Sequence, residues 1–237
     1  MVHMTNLRVV IPAKEEDKYL ISLLNQLNLQ TYTNFEVTVA DSSKSSVVKD
    51  ICKSFSVAVV EGGLPSTARN NGALNFKGNF LLFLDADVII QHDFIQRALF
   101  HLEDREADCL SFGFSPENPN LIMNFIHGLG TNLFWFLTRI GLAHGIGGAI
   151  LIKNGVHKKI QGFDETIYLA EDHNYVSRVS KAGKYVFDKT LKVSLSTRRF
   201  EKEGVISLCI KYISIGFHRL ILGEIRDNKI PYFENTQ

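Results

Sequence analysis

Short apolar runs alternate with amphipathic segments through the first half of the chain. Residues 7–12, 35–40, 57–60 and 80–84 are rich in β-branched or aromatic side chains and predict strands. Between them, residues 17–29, 45–55 and 65–76 carry apolar positions at helical spacing. This βαβαβαβ order predicts an α/β fold: a Rossmann-like, mainly parallel, doubly wound sheet with flanking helices. A further helix over 93–102 and a strand over 109–114 follow, and the breaker cluster Ser115-Pro-Glu-Asn-Pro119 ends that strand.

Two later segments break the ordinary amphipathic pattern. Over 121–137 the polar residues Asn124, His127 and Thr131 share one helical face, while Phe125, Phe134, Trp135 and Phe136 enrich the rest. Over 205–225 the polar positions Ser207, Lys211, Ser214 and His218 recur at steps of 4, 3 and 4, a narrow stripe on an apolar helix. Lys211, His218 and Arg219 argue against a membrane-spanning helix. Two readings stand: a core helix, or a helix lying in a membrane interface or subunit contact. The expected organisation is one domain over 1–200 and a C-terminal helical extension over 201–237, packed on that domain, a membrane or a partner.

Composition narrows the partners. The chain has 237 residues, 45% hydrophobic and 22% charged, with net charge +1. That size suits one large domain, and the balance of charge argues against nucleic acid as a partner. Cys52, Cys109 and Cys209 are odd in number and lack metal-ligand spacing, so they are expected to be reduced and buried. The start, Met1-Val-His-Met4-Thr, carries no basic and apolar signal pattern. A cytoplasmic location is expected, peripheral on the inner face of the membrane if the apolar helices dock there.

The candidate chemistry lies at the predicted strand ends. The fully apolar Phe80-Leu-Leu-Phe-Leu84 stops abruptly at Asp85-Ala86-Asp87. Two carboxylates there suit a hard divalent cation beside a diphosphate, or an Asp-capped turn. The first strand runs into Pro12-Ala13-Lys14-Glu15-Glu16 and the second into Asp41-Ser42, and strand ends of one parallel sheet converge on one crevice. Gly145-Ile-Gly147-Gly148 precedes a strand-like run instead of opening a helix, so it is not a dinucleotide fingerprint. No GxxxxGK[ST] or GxSxG motif is present.

In order and approximate spacing, from about residue 7 to 200, the chain resembles family 2 glycosyltransferases of the GT-A fold. The matching segments are Val9–Glu16, Val39–Ser42, Pro65–Ala73, Leu82–Asp87, Gly147–Lys153, Gly162–Glu165 and Glu171-Asp172, with Arg178 and Gly183 behind them. The resemblance implies inverting transfer of a sugar from a nucleoside-diphosphate sugar to an unidentified acceptor hydroxyl, lipid-linked or polysaccharide among the options. It places Asp41 at the nucleotide base, Pro12, Ala13 and Glu16 around the base and ribose, and Arg69 at a phosphate or the ribose, with a structural salt bridge as the other reading of Arg69. Asp85 and Asp87 become the DxD pair that holds Mg²⁺ or Mn²⁺ with the diphosphate, Ala86 between them. Gly148 lies in the turn that approaches the donor sugar. Relatives with a later His ligand are not matched here, and Arg198-Arg199 stand in its region as a grip on the diphosphate or as a solvated basic turn. Asp172 matches the general base, with Glu171 orienting the acceptor or the base. Two other readings stay open: a non-catalytic sugar-nucleotide-binding or interaction protein of the same fold, and a nucleotidyltransferase.

Overall fold

The computed structural model describes residues 6–227; the N-terminal start discussed above and the last residues of the C-terminal extension lie outside them. The strands are β1 (Leu7–Ala13), β2 (Phe35–Asp41), β3 (Ala58–Glu61), β4 (Phe80–Leu84), β5 (Val88–Ile89), β6 (Cys109–Pro116), β7 (Ala149–Lys153) and β8 (Tyr185–Leu195). They form one sheet in the order β3-β2-β1-β4-β7-β6-β8-β5. The half β3-β2-β1-β4 is parallel, as the alternation of apolar runs and helices predicts. Beyond it β7 runs antiparallel to β4 and β6, β8 is parallel to β6, and β5 is antiparallel to β8.

Successive strand residues point to opposite faces, and each face has its own core. Val9, Ile11, Leu82 and Leu84 pack with Leu20, Leu24, Val48 and Phe94. These last come from α1 (Asp17–Asn28), α2 (Val47–Ser54) and α4 (Phe94–Asp104). Val10, Leu81 and Phe83 face the other way, toward Phe163, Tyr175 and Val179. The helices on that side are α3 (Pro65–Ala73), α6 (Asn154–Lys159) and α7 (Glu171–Ala182). Gly72 lets α3 sit directly on β1, because a Cβ there would meet Val10 Cγ1 at 2.2 Å.

The strand order reverses on either side of β1, where β2 and β4 both leave it. In open α/β sheets that reversal opens a crevice at the carboxyl ends of the strands.

The remaining helices are α5 (Leu121–Arg139), α8 (Arg198–Glu203) and α9 (Val205–Leu222). The boundary expected at residue 200 falls inside α8. The core-helix reading of the C-terminal segment is corrected: in α9 only Leu208 and Ile215 are buried, while Ile206, Ile210, Phe217 and Leu220 are exposed. Cys52 and Cys109 are buried as expected, whereas Cys209, on α9, is half-buried.

Candidate active site

Strand ends deliver the acidic residues. In the β1–β2 register Ala13 lies beside Asp41, and the Ser42 amide donates to the Ala13 carbonyl at 2.8 Å. Asp41 is nearly buried, and its Oδ1 accepts the Ser43 amide at 2.8 Å. It borders a cleft of about 1120 Å³ lined by Lys14, Ser42, Lys44, Lys49 and Gly62. Gly62 is required there, since a Cβ would lie 2.6 Å from the Ser42 backbone nitrogen. Pro12 and Ala13 end β1 beside Ala40 and Asp41, and Ala13 is buried.

Arg69 joins the two halves of the site. It leaves α3 with 2% of its surface exposed. Its Nη2 donates to Asp85 Oδ1 at 2.7 Å and its Nη1 to Glu171 Oε1 at 2.6 Å. Burial works against its charge, and Asp85 and Glu171 outweigh burial, so its proton is held more tightly than usual. Of the two readings of Arg69, the salt bridge is the one present in the structure. The same Nη2 lies 3.4 Å from the Gly147 carbonyl, and the Gly147 amide donates to Asp172 Oδ2 at 2.6 Å. A Cβ on Gly147 would come within 2.8 Å of Arg69 Nη2.

Asp172 and Glu171 open α7. The preceding residue, Ala170, has φ +62° and ψ +37°. This left-handed backbone costs an L-residue roughly 1–2 kcal/mol. Strain of that kind persists where the surroundings over-determine the geometry. Asp172 Oδ1 accepts the His173 amide at 2.7 Å, so backbone N–H groups hold both oxygens. Burial raises its proton affinity above that of a free aspartate, against the pull of Arg69 and these amides. Glu171 is buried and likewise raised by burial, with Arg69 opposing. It points at Arg69, which makes it a group that positions its neighbours. His173 packs against His144 and Phe134, a structural place.

Asp87 meets Glu16 and the paired arginines. Burial and Asp85 push the Asp87 carboxyl up to about 6, against Arg198 and Arg199. Glu16 is raised to about 7, first by burial and then by Asp87. Arg198 Nη2 donates to Glu16 Oε1 at 3.1 Å, and its guanidinium lies 5.1 Å from the Tyr19 ring centroid. The two arginines begin α8 and are half-buried, in place of a solvated basic turn. Ala86 turns its methyl into the core, so any donor contact there belongs to its backbone. Gly148 accepts the Asp85 amide through its carbonyl at 3.2 Å.

Sequence reasoning passed over Ala170, Gly62, Tyr19 and the lysines of the cleft. Lys14 alone had a signal, its place in the loop after β1. Among the described residues, no group of three or more His, Cys, Asp or Glu is arranged to hold a metal by protein atoms alone. The donor set nevertheless suits a hard cation: the carboxylates are hard oxygen ligands, Asp85 lies close enough to raise the proton affinity of Asp87, and both raise that of Glu16.

Comparison with known proteins agrees with this arrangement. A family model described as glycosyl transferase family 2 matches residues 8–161. A curated relative, glycosyltransferase GlyA of Streptococcus pneumoniae, is 29% identical over 134 residues, 53% of this chain and 19% of the relative. The chain spans less than two thirds of the length of the first curated relatives it matches. Staphylococcus aureus TarS 1–349 in complex with UDP-GlcNAc superposes with a TM-score of 0.65 at 19% identity, covering 81% of this chain and 58% of that one. Mannosyltransferase PcManGT from Pyrobaculum calidifontis, in complex with GDP-Man and Mn²⁺, gives a TM-score of 0.64 at 15% identity, over 90% and 65% of the two chains. The structural likeness establishes a GT-A fold, and the family match over most of the sheet and its strand-end carboxylates shows that the chain belongs to glycosyl transferase family 2.

Proposed function

We propose that the chain transfers a sugar, with inversion at the anomeric carbon, from a nucleoside-diphosphate sugar to an acceptor hydroxyl. The observation that carries this reading is the buried bridge through Arg69. It ties Asp85, one of the strand-end pair, to Glu171, next to Asp172. A binding module has no use for a carboxylate of raised proton affinity fixed beside the acidic pair.

In this reading the nucleotide base occupies the cleft beside Asp41, whose free carboxylate oxygen accepts an imide N–H. Arg198 and Arg199 face the diphosphate with charge-assisted hydrogen bonds. Asp87 and Asp85 would hold Mg²⁺ or Mn²⁺, which, when bound, neutralises charge on the departing diphosphate. TarS and PcManGT, which share the fold, are crystallised with UDP-GlcNAc and with GDP-Man and Mn²⁺ respectively, which supports a nucleotide-sugar donor and a divalent cation. Asp172 takes the proton of the acceptor hydroxyl. The acceptor oxygen then bonds to the anomeric carbon, the bond from that carbon to the diphosphate oxygen breaks, and the nucleoside diphosphate leaves with the electron pair. Glu171 and Arg69 hold Asp172 in place and do not touch substrate.

The test is turnover of a panel of uridine- and guanosine-diphosphate sugars with Mn²⁺, with product analysis. Sugar transfer or slow donor hydrolysis to nucleoside diphosphate supports the reading. Donor binding without turnover would assign the chain to a non-catalytic sugar-nucleotide binder, and pyrophosphate release to a nucleotidyltransferase.

A further inference from the structure

Two helices on one flank are built inside out. In α5 the inward side is Met123, His127 and Thr131, and Thr131 Oγ1 both donates to and accepts from the Phe114 backbone, at 3.1 Å each way. Its apolar side faces outward, with Leu121 90% and Phe125 70% exposed. In α9 the outward side includes Phe217 at 60% and Leu220 at 79%. The largest apolar patch on a soluble monomer is roughly 300–600 Å², and one exposed aromatic side chain presents about 150–250 Å². These two rows exceed that limit several-fold.

The rows lie on the same side of the molecule. The Phe200 ring, in the helix leading into α9, lies tilted with its centroid 5.5 Å from that of His127 of α5. His173 contacts Phe134 of α5, and it also feels the charges of Arg219 and Glu224 at the far end of α9. Helix α9 is 18 residues long with mean hydropathy 1.6 and 11% buried, long and apolar enough to cross a membrane by length and composition. Its C-terminal end is instead tied to the protein, and Leu208 and Ile215 turn inward along its length. Lys211 pairs with Glu203, Arg219 with Glu224, Asn174 donates to Glu224, and Ile225 bridges to Leu169. A helix fixed in this way lies along a surface.

Charge selects the occupant. Neither α5 nor α9 contains an Asp or Glu, and with Lys211 and Arg219 paired to Glu203 and Glu224 the exposed charge of the two helices is Arg139. Where α5 meets β8, Trp135 is flanked by the Arg139 guanidinium at 5.1 Å and the Lys189 ammonium at 3.6 Å. Apolar faces with Trp and cations at the border match a bilayer interface carrying anionic headgroups. A second copy of the same two helices would offer Arg139 and Lys189 no acidic side chain to meet.

We propose that the outward faces of α5 and α9 together form a docking surface for an anionic lipid bilayer, with α9 lying in the interfacial plane. The experiment is flotation of the full chain with phosphatidylcholine vesicles, with and without phosphatidylglycerol, for the wild type, Phe125→Ser, Phe217→Ser and the double variant. The wild type is expected to float with both and more strongly with the anionic lipid. Each single variant should lower partitioning about tenfold, the scale expected for losing one buried aromatic, and the double variant should lower it further, while melting temperature and donor binding stay unchanged. A wild type that stays at the bottom of both gradients overturns the proposal. Sedimentation velocity on the same protein would then say whether a dimer split by the same substitutions covers the face instead. Flotation without donor turnover would sink the transferase mechanism and leave the docking surface standing; turnover by a chain that never floats does the reverse.

Discussion

Arg69, Asp172 and Asp87 do different work, and single substitutions should separate them. Arg69→Met leaves Asp85 and the buried Glu171 facing no cation, which costs about 3–5 kcal/mol when a buried pair loses one member. Chemical denaturation should show that loss, and adding Glu171→Gln should recover part of it; a loss near zero would mean that solvent already screens the bridge. Asp172→Asn keeps the shape and the bond from the Gly147 amide but cannot take a proton. Turnover should fall by about 10²–10⁴ with donor affinity retained. Asp87→Ala should abolish the Mn²⁺-dependent part of nucleotide affinity in titration calorimetry, and an unchanged Mn²⁺ dependence would remove Asp87 from the metal. Asp87 was legible because Asp85-Ala-Asp87 ends an apolar run, whereas Asp172 was reached only through the family resemblance. The burial of Arg69 was not legible, since nothing in Pro65-Ser-Thr-Ala-Arg69 says what the helix will face. Nor does a sequence betray the left-handed backbone of Ala170, which is a property of the turn it closes.

At the scale of elements, β8 escaped the sequence pattern because Asp188, Lys189, Thr190 and Lys192 interrupt its apolar positions. Those residues form an irregularity in the β6–β8 ladder, where Phe112 pairs with Asp188 but Gly113 with Lys192. Asp188 holds it together. It is fully buried and accepts from the Thr190 amide at 2.9 Å and the Thr190 hydroxyl at 2.6 Å, with His101 and Arg105 beside it. Burial would raise its pKa, but the bonds from Thr190 and His101 and the charge of Arg105 hold it below the ordinary value of 3.8. The folded state therefore binds this proton less readily than the unfolded chain. Its contribution is complete above the ordinary value and fades as pH falls through the lower, folded one. Asp188→Asn should lower stability by about 1–3 kcal/mol at neutral pH, and the gap from wild type should close in acid. A gap that stays constant down to the acid limit would show that charge plays no part. The two-residue β5 and the single-turn α6 were missed for a simpler reason: segments that short carry no periodicity.

For the whole molecule, the proposed donor site draws on residues at the ends of β1, β2 and β4 and on α7 and α8, so ligand should stabilise all of them together. At a donor concentration of 100 times Kd with Mn²⁺, the gain is about 2.7 kcal/mol. For a chain of this size that is a rise in melting temperature of roughly 5–10 °C. EDTA should return the donor-bound protein to the melting temperature of the free one; a shift that survives EDTA would place the donor elsewhere or make its binding independent of metal. By itself the sequence determined the βα alternation, the parallel half of the sheet and the carboxylates at its strand ends, because each depends on the spacing of near neighbours along the chain. Only the tertiary structure decided that Arg69 lies inside, between Asp85 and Glu171, and that α5 and α9 turn their apolar sides outward. Periodicity states that a helix has two faces, but which one is buried depends on what waits across the gap. For α5 that is the backbone of Phe114, whose amide and carbonyl need the hydroxyl of Thr131 more than another hydrocarbon.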